Sequence, residues 1–229
     1  MTVRVDHAPT EGGLEVTRIT GTDRRIEIPS EIGGVPVVSL GPQMLAQCTG
    51  GSGRTLSIPS SVVRASPETL EGSSGFSRIE YGGDLDSFCR LKLTSYCDCE
   101  VECTGGDRTF RFLFIAKTPM SFPEFDDAIL SMYLGLKPEM AIGRLSDPVG
   151  LTESNRARYE RFVSDRIMPV AEQKVSDGDC EGLSEIVSTG MVSDADLRRL
   201  LERSLRSGRT SVTSLLMSEI RRRAVKNER

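Results

Sequence analysis

The sequence predicts an α+β chain: a short β-solenoid built from repeats, then a β-hairpin, then an all-α domain of helical repeats. Three observations lead there. A strand-like motif recurs in the first third, a strictly alternating cysteine-rich run occupies the middle, and the apolar period changes from 2 to 3.6 beyond Thr118. With 229 residues, 38% hydrophobic and 27% charged, the chain has the size and balance to bury a core.

The repeat comes first. Arg25-Ile26-Glu27-Ile28-Pro29-Ser30 returns as Thr55-Leu56-Ser57-Ile58-Pro59-Ser60, and the apolar-polar-apolar beat returns as Ile79-Glu80-Tyr81. Between them, Leu40, Pro42, Leu45 and Cys48 stand at a constant offset of 25 from Ala65, Pro67, Leu70 and Ser73. Gly33-Gly34-Val35-Pro36 and Gly50-Gly51-Ser52-Gly53 read as loop insertions that lengthen the first unit. Each unit has a short period-2 strand that buries one face, then a proline that ends ladder pairing. One unit cannot cover its apolar side alone, whereas stacked neighbours can, so Ile26, Leu56 and Ile79 are expected side by side in a solenoid.

These residues resemble the BspA-like leucine-rich repeat. The likeness rests on Ile28-Pro29-Ser30-Glu31-Ile32-Gly33-Gly34-Val35-Pro36-Val37 with Leu45-Ala46-Gln47-Cys48, and on Ile58-Pro59-Ser60-Ser61-Val62, and covers roughly residues 14–83. Two departures stand out: the phenylalanine usual before the cysteine is absent, and Gly72-Ser73 occupy the place of the second cysteine.

Residues 84–118 are expected to form a connecting, capping hairpin. Cys97-Asp98-Cys99-Glu100-Val101-Glu102-Cys103 alternates, Thr104-Gly105-Gly106-Asp107 supplies turn chemistry, and Phe110-Arg111-Phe112-Leu113-Phe114 forms the return. The cysteines admit two mutually exclusive readings. On a straight strand Cys99 and Cys103 lie about 13 Å apart, while two thiolates on one zinc stay within roughly 5 Å. Cys97, Cys99, Val101 and Cys103 are therefore read as core residues, with Asp98, Glu100 and Glu102 outward. A zinc-binding adaptor organised by Cys89, Cys97, Cys99 and Cys103 is the alternative, and no metal or cofactor is assigned.

From 119 to 229 the chain reads as helices. Ser121 caps a helix of roughly fourteen residues running toward Gly135. Leu151 to Val175 carries one apolar stripe that Pro169 should break or kink. Three later stripes follow: Leu183, Ile186 and Val187; Leu197, Leu200, Leu201 and Leu205; Val212, Leu215, Leu216 and Ile220. Gly190 and Gly208 sit where helix ends need a left-handed residue, and Ser193-Asp194-Ala195-Asp196 reads as a capping box. The first and third stripes are 29 residues apart, a helical-repeat spacing. The segment Gly178-Asp179 to Gly190, with Ser207-Gly208-Arg209 leading into Leu215-Leu216, resembles a degenerate ankyrin-like repeat without its T-P-L-H turn. The whole order resembles a group of bacterial and archaeal repeat proteins, in which Asp126-Asp127-Ala128-Ile129, Leu151 to Arg156 and Tyr159 to Phe162 look like recurring helical landmarks. That resemblance implies partner binding and no reaction.

Chemistry is narrowed by composition. A single histidine, His7, leaves little room for a Ser-His-Asp or Cys-His arrangement and none for a multi-histidine metal site. Asp126 and Asp127 are adjacent and so point about 100° apart on a helix. Gly50-Gly51-Ser52-Gly53-Arg54 lacks the G-K-S/T ending of a phosphate loop, and G-x-S-x-G is absent. The net charge of −4 argues against nucleic acid as a partner, and Arg221-Arg222-Arg223 reads as a solvated last turn. No leader or membrane-spanning stretch is found, so a cytoplasmic chain with free thiols is expected. The expectation is thus a non-catalytic scaffold for protein–protein interaction, with the oligomeric state left open. Its partner is expected on the outward ladder Arg25, Glu27, Thr55, Ser57, Arg78 and Glu80.

Overall fold

The computed structural model describes residues 3–73, 75–107, 109–132 and 136–227. Strands β1 (Arg4–Thr10), β2 (Gly13–Thr20), β3 (Arg25–Glu27), β4 (Glu31–Ile32), β5 (Val35–Leu40), β6 (Arg54–Ile58), β7 (Arg64–Ala65) and β8 (Phe76–Tyr81) lead to α1 (Leu85–Arg90). After β9 (Cys99–Cys103) and β10 (Phe110–Phe114) come α2 (Glu124–Ser131), α3 (Pro138–Ser146), α4 (Glu153–Val163), α5 (Ile167–Asp177), α6 (Cys180–Ser188), α7 (Asp194–Arg206) and α8 (Thr210–Asn227). The chain divides into two compact units, Met1–Ile129 and Leu130–Arg229.

In the first unit the chain winds between two sheets, which makes a β-solenoid. One sheet runs β1-β2-β5-β4 with β7 also on β5, and the other runs β10-β9-β8-β6-β3. The repeat motif sets the register of the second sheet. Ile26 lies beside Leu56, Leu56 beside Ile79, and Ile79 beside Val101, all in parallel pairing. These four side chains are at most 1% exposed, and burying each contributes about 1.5–3 kcal/mol. The 25-residue offset is also structural, since Leu40 pairs in parallel with Ala65. Where the second unit replaces cysteine, the turn survives: the Cys48 amide donates to the Leu45 carbonyl at 2.9 Å and the Ser73 amide to the Leu70 carbonyl at 3.1 Å.

β9 is expected from the sequence as half of a hairpin, but its pairing with β8 is not. It is half of a hairpin, with β10 antiparallel and Phe112 opposite Val101, and it is also a fourth parallel rung of the solenoid sheet. Gly105 makes the turn after β9 fit, because a Cβ there would stand 2.6 Å from the Gly83 carbonyl carbon. Behind β10 the core is closed by aromatic rings. Phe110, Phe112, Phe114, Phe122 and Phe125 meet at centroid distances of 5.0–6.3 Å, and Phe88 of α1 joins them through Phe114 at 6.5 Å. Such ring pairs add stability beyond their buried area.

Arg54, read from sequence as the end of a loop insertion, is a core residue 1% exposed. Its guanidinium donates to the carbonyls of Asp23 (3.1 Å), Cys48 (3.1 Å) and Gly21 (3.4 Å) and lies 4.3 Å from the centre of the Phe76 ring. The cation is thus held by peptide dipoles and a π face.

The second unit is helical. α3 packs on α4, α5 on α6 and α7 on α8, while α3, α5 and α7 form one row and α6 contacts α8. The 29-residue spacing relates Leu183 on α6 to Val212 on α8, and both are fully buried. Gly190 and Gly208 have φ of 75° and 67°, and Ser193 accepts from the Asp196 amide, so the punctuation read from sequence is present. Three details differ. α2 has eight residues, not fourteen, and Gly135 lies outside the described residues. The stripe from Leu151 to Val175 breaks at Ser164–Arg166, upstream of Pro169, which sits in the first turn of α5 where its missing N–H has no intrahelical partner to lose. Leu205, placed on the buried stripe of α7, is 61% exposed and lines an open groove beside α8. None of the described helices is long and apolar enough to cross a membrane.

Candidate interaction surface

Strand alternation turns Ile26, Leu56, Ile79 and Val101 inward and so turns their neighbours outward. The register then places Arg25, Thr55, Arg78 and Glu100 in one row and Glu27, Ser57, Glu80 and Glu102 in the next. All six residues picked from the sequence lie on this face. It extends further than they do, because Glu100, Glu102 and Arg111 continue it. Their signal was present in the alternation of Cys99 to Cys103, but only the parallel pairing of β9 makes them neighbours of Arg78 and Glu80.

The face is a connected ion-pair network. Arg25 bonds Glu27 and Glu80, each at 2.7 Å. Arg78 bonds Glu100 at 3.1 Å and also Glu102, and Arg111 reaches Glu102 at 3.1 Å. The Arg78 Nε is buried 3.2 Å from Glu80 Oε1 but off hydrogen-bonding geometry, so it is attracted without being satisfied. Glu102 is the hub, with a side chain 13% exposed. Its hydrogen bond from Arg111, with Arg78 beside it, holds the carboxyl below the ordinary carboxylate range. Exposed pairs of this kind contribute about 0–1 kcal/mol each. Their effect is to fix the geometry of a shallow groove of about 430 Å³ whose lining includes Arg25, Ser57, Arg78, Glu80, Glu102 and Arg111. The rim ends of the network stay open: Glu27 is 68% exposed and Arg111 64%.

The cysteines are arranged differently. Cys99 and Cys103 point into the core, 3% and 1% exposed, and burial pushes both thiols up to about 12. Cys97 precedes β9 and its thiol donates to the Phe76 carbonyl at 2.7 Å. Among the described residues no group of three or more His, Cys, Asp or Glu side chains could hold a metal ion, so a zinc centre built from Cys89, Cys97, Cys99 and Cys103 has no donor set. All six cysteines are free thiols. Asp126 is buried and Asp127 exposed, so the adjacent carboxylates do not converge.

No protein-family model matches the chain, and no curated protein matches it. A solved structure that is similar in part is a leucine-rich cell surface protein from Faecalibacterium prausnitzii A2-165, at 18% identity and a TM-score of 0.28. The match covers 43% of this chain and 30% of that one. The strand register described above establishes the β-solenoid without it.

Proposed function

We propose that this chain is a non-catalytic, intracellular repeat scaffold that binds a protein partner on the outward face of its β3-β6-β8-β9 sheet. The turns are of the BspA-like leucine-rich type, and the paired helices of the second unit act as an ankyrin-like stack. One observation carries the reading: four strands in parallel register display six charged residues and two hydroxyls as a pre-ordered array. A partner meeting such a surface loses little freedom in ordering it, which is where rigid scaffolds gain affinity. The basic and acidic groups pair with one another along a shallow groove, which suits a polar protein surface of alternating charge. The free thiols accord with a reducing compartment.

Site-specific photo-crosslinking tests this. A benzophenone side chain at Ser57, in the centre of the face, should give a discrete adduct in native lysate, and one at exposed Thr17 on β2 should not. Adding Arg25→Glu and Arg111→Glu should abolish the Ser57 adduct. Equal adducts at both positions, or an adduct indifferent to both substitutions, would overturn the reading.

A further inference from the structure

Charge is distributed unevenly along this chain. Residues 1–129 contain 12 Lys and Arg against 18 Asp and Glu, whereas residues 198–227 contain nine against two, Glu202 and Glu219. That basic stretch is most of α7 and all of α8. Some of its arginines hold the helices together: Arg199 and Arg203 pair with Glu172 of α5 at 2.6 and 3.2 Å, and Arg223 pairs with Glu219 and Asp194. Others do not. Arg206 is 82% exposed and leans on Glu202 at 3.6 Å. Arg198 and Arg221 are exposed and, among the described residues, pair with no carboxylate.

The cations border an apolar seam. Between α7 and α8 runs a groove of about 460 Å³, lined by Leu205, Thr213, Ser214, Met217, Ser218 and Arg221 among others. Leu205 is 61% exposed, Met217 41%, and Val225, two helical turns beyond Met217, 56%. Leu205 stands about 200° round α7 from Arg203, so it faces away from α5, to which Arg203 is bonded. Arg198 is seven residues before Leu205 and therefore on the same stripe, and Arg221 is four after Met217. Exposed apolar side chains on a soluble helix pair are ordinary singly; Leu205 and Met217 lining one groove, with Arg198 and Arg221 beside them pairing with no carboxylate among the described residues, form a surface of defined chemistry.

We propose that this seam is a second docking surface, separate from the sheet face, and that it takes an acidic amphipathic helix of a partner protein. Apolar side chains on one stripe of such a helix would cover Leu205 and Met217, and flanking carboxylates would meet Arg198, Arg206 and Arg221. The apolar floor favours a peptide over nucleic acid: phosphates gain nothing from leucine and methionine, and no aromatic ring lines the groove for base stacking.

The test uses the full chain and a fluorescent synthetic peptide about 18 residues long, five helical turns, with leucines at helical spacing and glutamates elsewhere. Two controls replace its glutamates by lysine or its leucines by serine. Anisotropy should show binding of the Leu/Glu peptide alone, weakening as salt rises. The substitutions Leu205→Glu and Arg198→Glu/Arg221→Glu should each weaken binding by about tenfold or more, a loss of about 1.4 kcal/mol, with exposed Arg18→Glu as a neutral control. Met217→Glu stands in if the melting curve of Leu205→Glu shows a fold defect. Failure of the Leu/Glu peptide to bind would overturn the proposal, as would binding indifferent to Leu205 and Met217. So would a duplex oligonucleotide that binds more tightly and responds only to the arginine changes.

Discussion

Ile79 lies directly beside Val101 in the same parallel relationship that Leu56 has to Ile79. The cysteine-bearing strand therefore completes the solenoid as well as starting a hairpin. A fragment ending after β8 leaves Ile79 and Tyr81 at a bare edge and removes the phenylalanine cluster. We expect residues 1–84, expressed alone, to show no cooperative thermal transition, and residues 1–129 to show one. Circular dichroism melts of both fragments check this; a sharp transition for the shorter piece would contradict it.

Leu56 is packed between two rungs and is 0% exposed. Leu56→Ala should cost about 3 kcal/mol, within the range for emptying a core leucine site. Leu113→Ala, on the outward side of β10 and 47% exposed, should change stability by less than about 0.5 kcal/mol. Urea denaturation of the two variants decides whether the inward row carries the stability.

Ile26 and Leu56 were legible in the sequence because Ile-Pro-Ser ends both strands at a fixed distance, and Ile79 because its apolar-polar-apolar beat returns 23 residues after Leu56. Val101 follows Ile79 at nearly the same interval, yet nothing like Ile-Pro-Ser marks it, so only its local alternation was visible. Leu205 was misplaced for the opposite reason: its periodicity is that of a buried helix face, and periodicity does not reveal which part of a face its neighbours leave uncovered. Arg54 was missed because arginine in a glycine-rich stretch reads as solvated loop. The clue was Gly50, where a Cβ would press on the Arg54 side chain at 3.2 Å.

Arg54 supplies the third prediction. Arg54→Met removes a side chain that donates to the carbonyls of Asp23, Cys48 and Gly21 at once and should cost about 1–3 kcal/mol. Arg54→Lys should rescue little of it, since a single ammonium cannot reproduce the planar fork. Denaturant midpoints of the two variants, compared with the parent, report the outcome. Recovery by lysine would show that charge, and not the fork, is what matters.

Cys99 and Cys103 yield a pH dependence. Burial raises both thiols from an ordinary value of 9.0 to about 12. In the folded chain they keep their protons over a range where the unfolded chain releases them. Their contribution is complete below about pH 9 and is lost as pH rises toward 12. Stability should therefore fall between pH 9 and 11 more steeply in the parent than in Cys99→Val/Cys103→Val, with similar behaviour at pH 7. Neither thiol should react with an aromatic disulfide at pH 8 until denaturant is added.

The solenoid begins and ends with a reversed strand, β1 antiparallel to β2 and β10 antiparallel to β9. The rungs β3, β6, β8 and β9 pair in parallel one turn apart, whereas β10 runs against them, so a further parallel turn fits among the rungs and not beyond β10. Duplicating residues 55–77, which returns Thr55 at the place of Arg78 and so keeps the register, is then a permissible edit that adds one more row of the same outward chemistry; appending the same segment beyond β10 is not.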